Sequence, residues 1–206
     1  PRNRQQLNEQ ARLFEHLRPD LHGLVLFALM TGARIDTIAR LRWSNIDRST
    51  RRITFRLKGG KSMRFPLSDE LAALLEGLPR APKEDTENHP YVILYRDHSR
   101  RGHPLKRLTA TGGGIMSDFR EALAAAEVED FRFHDLRHTF ATRLLRRTGN
   151  LKLVSKLLGH ANIETTARYA HVLDEDMADA LEGFTHGHTG ADSRSSSRSP
   201  ALRVVK

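Results

Sequence analysis

Apolar residues recur at three- and four-residue steps through the first part of the chain, at Leu13, Leu17, Leu21, Leu24 and Phe27. That spacing lays them on one face of a helix. Pro19-Asp20 predicts a break and restart, because proline fits the first turn of a helix and not its interior. Ile35 to Leu41 predicts a further short helix. The period then changes: Arg52-Ile-Thr-Phe-Arg-Leu-Lys58 alternates, Gly59-Gly60 follows, and Lys61-Ser-Met-Arg-Phe-Pro66 alternates again. Two alternating runs rich in β-branched and aromatic residues, joined at a glycine pair, predict a β-hairpin.

Helix resumes after Ser68, which can cap a run to Leu75 with one apolar face. Pro79 to Pro90 is polar with three prolines and predicts a loop. Tyr91 to Tyr95 predicts one more strand. Thr111-Gly-Gly-Gly114 is a loop before an alanine-rich helix around Ser117 to Ala126. From Asp135 the pattern is helical in pieces, broken at Gly149-Asn150 and at Gly159-His160-Ala161-Asn162. Residues 186–206 are rich in Ser, Arg and Gly and predict a flexible tail. There is no internal repeat. The sum is a mainly α domain with a small antiparallel β-sheet, spanning residues 1–185.

Composition narrows the function classes. With 206 residues, 38% hydrophobic and 29% charged, the chain suits one soluble core. Its longest apolar run, Leu24 to Met30, falls far short of the ~20 residues that cross a bilayer. Pro1 to Gln10 is polar and lacks the apolar stretch of a signal peptide. The absence of cysteine excludes disulfides, thiolate nucleophiles and cysteine-bound zinc. No metal site is expected either, since His186 and His188 stand in the tail without carboxylate neighbours. Lys and Arg total 34 against 25 Asp and Glu, a net charge of +9. That surplus favours a polyanionic partner, nucleic acid before acidic membrane, although a generically basic protein fits the charge equally well.

Two segments carry candidate chemistry. In Phe133-His-Asp-Leu-Arg-His-Thr-Phe-Ala-Thr142, Asp135 is expected to cap a helix, which puts His134, Arg137 and His138 in or beside its first turn. A helix start with arginine and histidine is a natural phosphate seat. Alone, the segment reads sooner as a capped surface helix with a polar first turn. In Leu157-Leu-Gly-His160-Ala-Asn-Ile-Glu-Thr-Thr-Ala-Arg-Tyr169-Ala-His171, Gly159 should end one helix and Asn162 cap the next. Tyr169 then falls near the end of a short helix, between Arg168 and His171. A lone tyrosine there is ordinarily a packing residue with a wet hydroxyl.

Taken in order, the segments resemble the boxes of the tyrosine recombinase (phage integrase) family. His-x-x-Arg-His, then Leu-Gly-His, then a tyrosine nine residues on, match its C-terminal boxes. Thr31-Gly-Ala-Arg34 followed by Leu41-Arg-Trp43 is similar to its first arginine box. Lys58-Gly-Gly-Lys61 with Pro66-Leu67 is similar to its lysine hairpin. One departure is Thr37, where many members carry Glu.

The resemblance implies the family's catalytic-domain fold and a DNA cleaving and rejoining reaction through a 3′-phosphotyrosyl intermediate. Tyr169 would be the nucleophile. Arg34 and Arg137 would stabilise the transition state, and His160 would hydrogen-bond a non-bridging oxygen. His134 would accept or partner the tyrosine proton. Lys58 would protonate the leaving 5′-oxygen, with Lys61 as understudy. His138 and His171 would be structural neighbours. Arg40, Arg42, Lys61, Lys106, Arg107 and Arg168 are the candidates for contacting DNA.

The covalent link conserves bond energy, so no cofactor is expected. Partners implied are double-stranded DNA and further copies of the chain, a tetramer on DNA in the full-length protein, with Leu173 to Phe184 docking on a neighbour. No membrane is implied, and a bacterial or phage-encoded protein of the cytoplasm is. The N-terminal DNA-binding domain usual in the family is expected to be absent from this chain. The rivals are a type IB topoisomerase, which shares the chemistry, and a DNA-binding protein without catalysis.

Overall fold

The computed structural model describes residues 2–81 and 90–173, with side chains from residue 8 onward except that of Lys58. The expected docking segment, beyond its first residue, and the expected tail at 186–206 lie outside the described residues. In chain order the elements are α1 (Arg2–His16), α2 (Pro19–Thr31), α3 (Ile35–Ala39), β1 (Ile46–Asp47), β2 (Arg52–Arg56), β3 (Ser62–Pro66) and α4 (Asp69–Glu76). They continue with β4 (Leu94–Arg96), β5 (Leu105–Arg107), α5 (Ile115–Ala125), α6 (Asp135–Thr148), α7 (Leu151–Leu158) and α8 (Glu164–Ala167). The protein is mainly helical, as its pattern predicts, and among the described residues no helix is long and apolar enough to cross a membrane.

Helix α2 is the centre. Leu21, Leu24, Val25, Phe27, Ala28 and Leu29 are all buried, so it is apolar on every side, as a helix surrounded by protein must be. It packs against α6 and α4. The elbow before it is fixed by Arg18, whose guanidinium pairs with Asp20 at 2.8 Å and with Asp118 on α5. Pro19 takes the first position of α2, where its missing N–H is no loss.

The hairpin forms with the predicted alternation. Ile53 faces Phe65 and Phe55 faces Met63 across β2 and β3, with β1 added on the outer edge of β2. Ile53, Phe55 and Phe65 turn inward, away from exposed Arg52 and Arg56. Phe27, Phe55, Phe65 and Phe140 run ring to ring at 6.2, 5.6 and 6.4 Å, tying α2, the sheet and α6 into one core. Strand β2 ends two residues before its alternating run does, and β3 starts one residue after its own. Lys58–Gly60 closes as a 3-10 turn, which Gly59 and Gly60 permit with φ of 78° and 74°.

The expected strand at Tyr91 to Tyr95 is displaced. Leu94–Arg96 pairs antiparallel with Leu105–Arg107, making a second, two-stranded sheet, while Tyr91 makes only an isolated antiparallel bridge with Arg42. Val92 instead donates its N–H to Leu41 O, and Trp43 donates to Pro90 O. These loop-to-loop bonds satisfy the backbone without a ladder. The β4–β5 turn is held by Asp97, which accepts from Ser99 and from Lys106. Leu105-Lys-Arg107 carries a single apolar residue, too weak a pattern to announce a strand.

Candidate active site

The motif Thr31-Gly-Ala-Arg34 is the hinge between α2 and α3, and each residue has a task there. Thr31 is buried and its hydroxyl donates to Phe27 O at 2.7 Å while accepting from Ala33 N. Gly32 ends α2 in the left-handed conformation, φ 62°, and donates to Ala28 O. A Cβ on Gly32 would lie 2.4 Å from Phe140 Cδ1 and 3.0 Å from Leu158 Cδ2. Arg34 follows as the exposed N-cap residue of α3. Gly32→Ala should therefore cost about 3 kcal/mol, combining overpacking with a strained backbone, read as a lower urea midpoint. A midpoint within error of wild type would show that Phe140 yields freely.

Carbonyls at two distant turns accept hydrogen bonds from Arg137, which is 5% exposed. Its Nη1 donates to Gly32 O at 2.6 Å, and its Nη2 donates to Leu158 O and to His160 Nε2, both at 2.9 Å. Among the described residues nothing accepts from its Nε–H or from the second Nη1 hydrogen, so two donors remain for a ligand. Burial, helped by Arg34, lowers the Arg137 pKa to about 10, well short of neutralising it at pH 7. Arg34, Arg132, His134 and Arg137 line one open recess beside Phe133.

His160 follows Gly159, which closes α7 at φ 67°. A Cβ on Gly159 would meet Leu57 Cδ1 and Met63 Sδ at 3.1 Å, so the side chains of Leu57 and Met63, flanking the Lys58–Gly60 turn, abut this loop. Because Nε2 of His160 accepts from Arg137, the proton sits on Nδ1 and is donated to buried Thr166 Oγ1 at 2.8 Å. Burial, then Arg137, Arg34 and Arg168, hold its pKa at about 4.

An unfolded histidine titrates near 6.5, so between these values the unfolded chain holds the extra proton and acid favours unfolding. His134 and His138 are lowered too, both by burial first. Stability present above about pH 6.5 should drain away as pH falls towards 4, seen as a falling Tm. In His160→Asn the fall across that window should be shallower. An equal slope would remove His160 from the account.

Tyr169 is buried, 5% exposed, and follows α8 in a tight turn in which its N–H donates to Thr166 O. Its hydroxyl lies 2.6 Å from His138 Nδ1, not on His134. The hydroxyl's hydrogen-bonding partner is thus His138, expected as a structural neighbour, and not His134, expected to accept or share the tyrosine proton. His134 is exposed and its ring meets His138 edge-on at 5.2 Å. Burial raises the Tyr169 pKa above the ordinary phenol value, opposed by Arg137, Arg168 and Arg34. The capping expectations also shift. His134 occupies the N-cap of α6, and Asp135 reaches back to accept from Arg132 N at 2.7 Å. Asn162 stands one residue before the N-cap of α8, yet its side chain accepts from Glu164 N at 3.0 Å.

The structure thus gathers Arg34, His134, Arg137, His160 and Tyr169 around α6, with the backbone of Lys58 in the abutting hairpin. Thr37 is buried in α3, and His171 is exposed. The DNA-contact candidates scatter more. Arg42 and Arg107 both lie over the Tyr91 ring, at 5.4 and 4.1 Å. Arg40 pairs with Asp36, and Lys106 with Asp97. Lys61 and Arg168 are exposed. Two contacts escaped sequence reasoning, His138 on Tyr169 and Thr166 on His160. The four-residue step from His134 to His138 was the signal for the first, since it sets both rings on one helix face. Among the described residues no group of His, Asp and Glu could hold a metal ion.

Comparison with known proteins places this geometry. The sequence profile of the phage integrase family matches residues 3–176. Tyrosine recombinase XerD of Rhizobium meliloti (strain 1021) is 30% identical over 162 residues, 79% of this chain and 50% of that protein. The chain spans about half the length of the curated relatives it matches. Among solved structures, the catalytic domain of bacteriophage HP1 integrase aligns with TM-score 0.55 and 27% identity, over 90% of this chain and 94% of that one. A lambda integrase dimer bound to a COC′ core site aligns with TM-score 0.58 and 19% identity, over 78% and 56%, a likeness of fold.

Proposed function

Because the chain belongs to the phage integrase family of tyrosine recombinases, we propose that it cleaves and rejoins DNA strands through a 3′-phosphotyrosyl link to Tyr169. The observation that carries the reading is the convergence on buried Arg137 of turns from two remote segments, at Gly32 and at Leu158 to His160, with the Tyr169 hydroxyl held one helical step away by His138. A buried guanidinium with two unused donors suits the non-bridging oxygens of a phosphorane-like transition state.

In this reading Arg34 and Arg137 clamp those oxygens. His160 releases Arg137 when phosphate arrives and presents an Nε2–H in its place. Thr166 can serve either tautomer, since a hydroxyl both donates and accepts. Lys58 protonates the leaving 5′-oxygen. His134, on the recess beside Arg34, faces the phosphate. Arg42, Arg107, Lys61 and Arg168, with Arg40 and Lys106 once freed from their carboxylates, track the duplex backbone. Exchange between two duplexes requires more than one nucleophile, so copies assemble on DNA, in line with the dimer of the lambda integrase structure. The compartment is the bacterial cytoplasm, where such DNA lies.

The test is covalent capture. The protein is incubated with a pool of nicked suicide duplexes carrying randomised sites, denatured in SDS, and the linked DNA recovered and sequenced. An adduct joined at a DNA 3′ end and enriched for one sequence is expected. No adduct across the pool, with duplex binding intact, would sink the proposal in favour of a DNA-binding role alone.

A further inference from the structure

We infer that His138 is a further catalytic residue of this site, the base that takes the phenolic proton of Tyr169 as the tyrosine attacks, with Asp135 holding its tautomer. The inference rests on the strand-transfer reading above and gives to His138 the proton-accepting role which the family resemblance gives to His134.

A phenol near its ordinary pKa of about 10 is a poor nucleophile at neutral pH, and its proton must leave as the oxygen bonds to phosphorus. Tyr169 is buried, so bulk water is a poor acceptor there. The group in contact with its hydroxyl is His138, Nδ1 to Oη at 2.6 Å, inside the range required of a general base. The far nitrogen, Nε2, lies 3.9 Å from Asp135 Oδ1. That carboxylate is anchored through its other oxygen to Arg132 N at 2.7 Å. It favours the tautomer with the proton on Nε2, leaving the Nδ1 lone pair for the phenol. Asp135, His138 and Tyr169 therefore follow one another as a carboxylate that orients through its charge, a base and a nucleophile.

The charges around the ring suit the role. Asp135, His134 and Arg137 face it from α6, and Arg168 and Tyr169 from the turn after α8. Burial, Arg168 and Arg137 keep His138 neutral and able to accept, while Asp135 steadies the imidazolium once formed. The step balances. The O–H bond of Tyr169 breaks and its proton passes to Nδ1 of His138. The Oη–P bond forms, the P–O5′ bond breaks, and the 5′-oxygen takes a proton from the group on its own side of the phosphate. In rejoining, the 5′-hydroxyl attacks and His138 returns its proton to the departing Tyr169. His134, exposed and in contact with His138 instead of the hydroxyl, is left to serve the phosphate.

Two measurements test this. In the DNA-free protein, nitrogen-15 NMR of the imidazole of His138 should show Nδ1 unprotonated and Nε2 protonated at pH 7. A protonated Nδ1 overturns the inference. In the capture assay, on the sequence selected by the wild-type protein, His138→Asn retains an oxygen acceptor near Nδ1 but cannot take a proton. It should form adduct about 10²-fold more slowly or worse, with a rate that keeps rising with pH where wild type levels off.

A fluorinated tyrosine of lowered pKa at position 169 should restore most of the loss. A 5′-bridging phosphorothiolate, which helps only the leaving group, should not. Adduct from His138→Asn within threefold of wild type, or faster, overturns the inference and makes the contact a latch. Rescue by phosphorothiolate instead of fluorotyrosine overturns it too. No adduct from wild type would sink the strand-transfer reading itself, and this inference with it.

Discussion

Tyr169→Phe yields a folded protein that binds duplex DNA and forms no covalent link with it. The substitution removes one oxygen and leaves the ring buried in the core. The lost contact is the hydrogen bond to His138, whose ring is half-buried and can turn to solvent, so the stability change should stay near 1 kcal/mol. Chemistry, by contrast, has nowhere else to go. The chain contains no cysteine, and Tyr95 and Tyr91 stand on or beside β4, away from Arg137. The SDS-resistant band should vanish below detection while the gel-shift midpoint and Tm hold. A surviving band would assign the nucleophile to another residue.

Arg137→Lys should damage both the rate and the fold, and that double loss separates it from Arg34→Lys. Lysine carries the charge but not the planar fork of donors. One ammonium cannot span Gly32 O, Leu158 O and His160 Nε2 and still meet a phosphate. Carbonyls left unpaired in the interior cost about 1–3 kcal/mol each, so a stability loss of about 2–4 kcal/mol is expected from chemical denaturation. Adduct formation should fall by about 10²–10³ beyond any loss of folded protein, the usual effect of removing a positioned donor from a charge-stabilising site. Arg34 is exposed and has no such duties, so its lysine variant should lose rate and keep its Tm. Equal Tm for both variants would show that the Arg137 bonds contribute little to the fold.

These expectations depend on how a linear motif becomes a site. Arg137 and Arg34 look alike in the sequence, one arginine per box. Their difference in burial arises only when α6 packs along α2 and Gly32 turns its carbonyl inward. His138 reads in the sequence as a structural neighbour of the site, because its partner is 31 residues away, across α7 and the left-handed turn at Gly159. The β4–β5 sheet was hidden for a related reason. Its second strand has little alternation of its own and is held by Asp97 and by Leu94–Arg96 across the turn.

By itself the sequence determined what local physics controls. The hairpin follows from alternation around Gly59-Gly60, and α4 from the Ser68 cap, which accepts from Leu71 N. The breaks at Gly149 and Gly159 follow from left-handed turns that suit glycine. The ordered boxes were legible as well, because each is a short run whose residue types are set by a turn and a helix start. Only the tertiary structure decided which nitrogen meets which oxygen. A hydrogen bond is made or lost within less than an ångström, and such distances between remote segments are set by the packing of α2, α6 and the sheet around four phenylalanines.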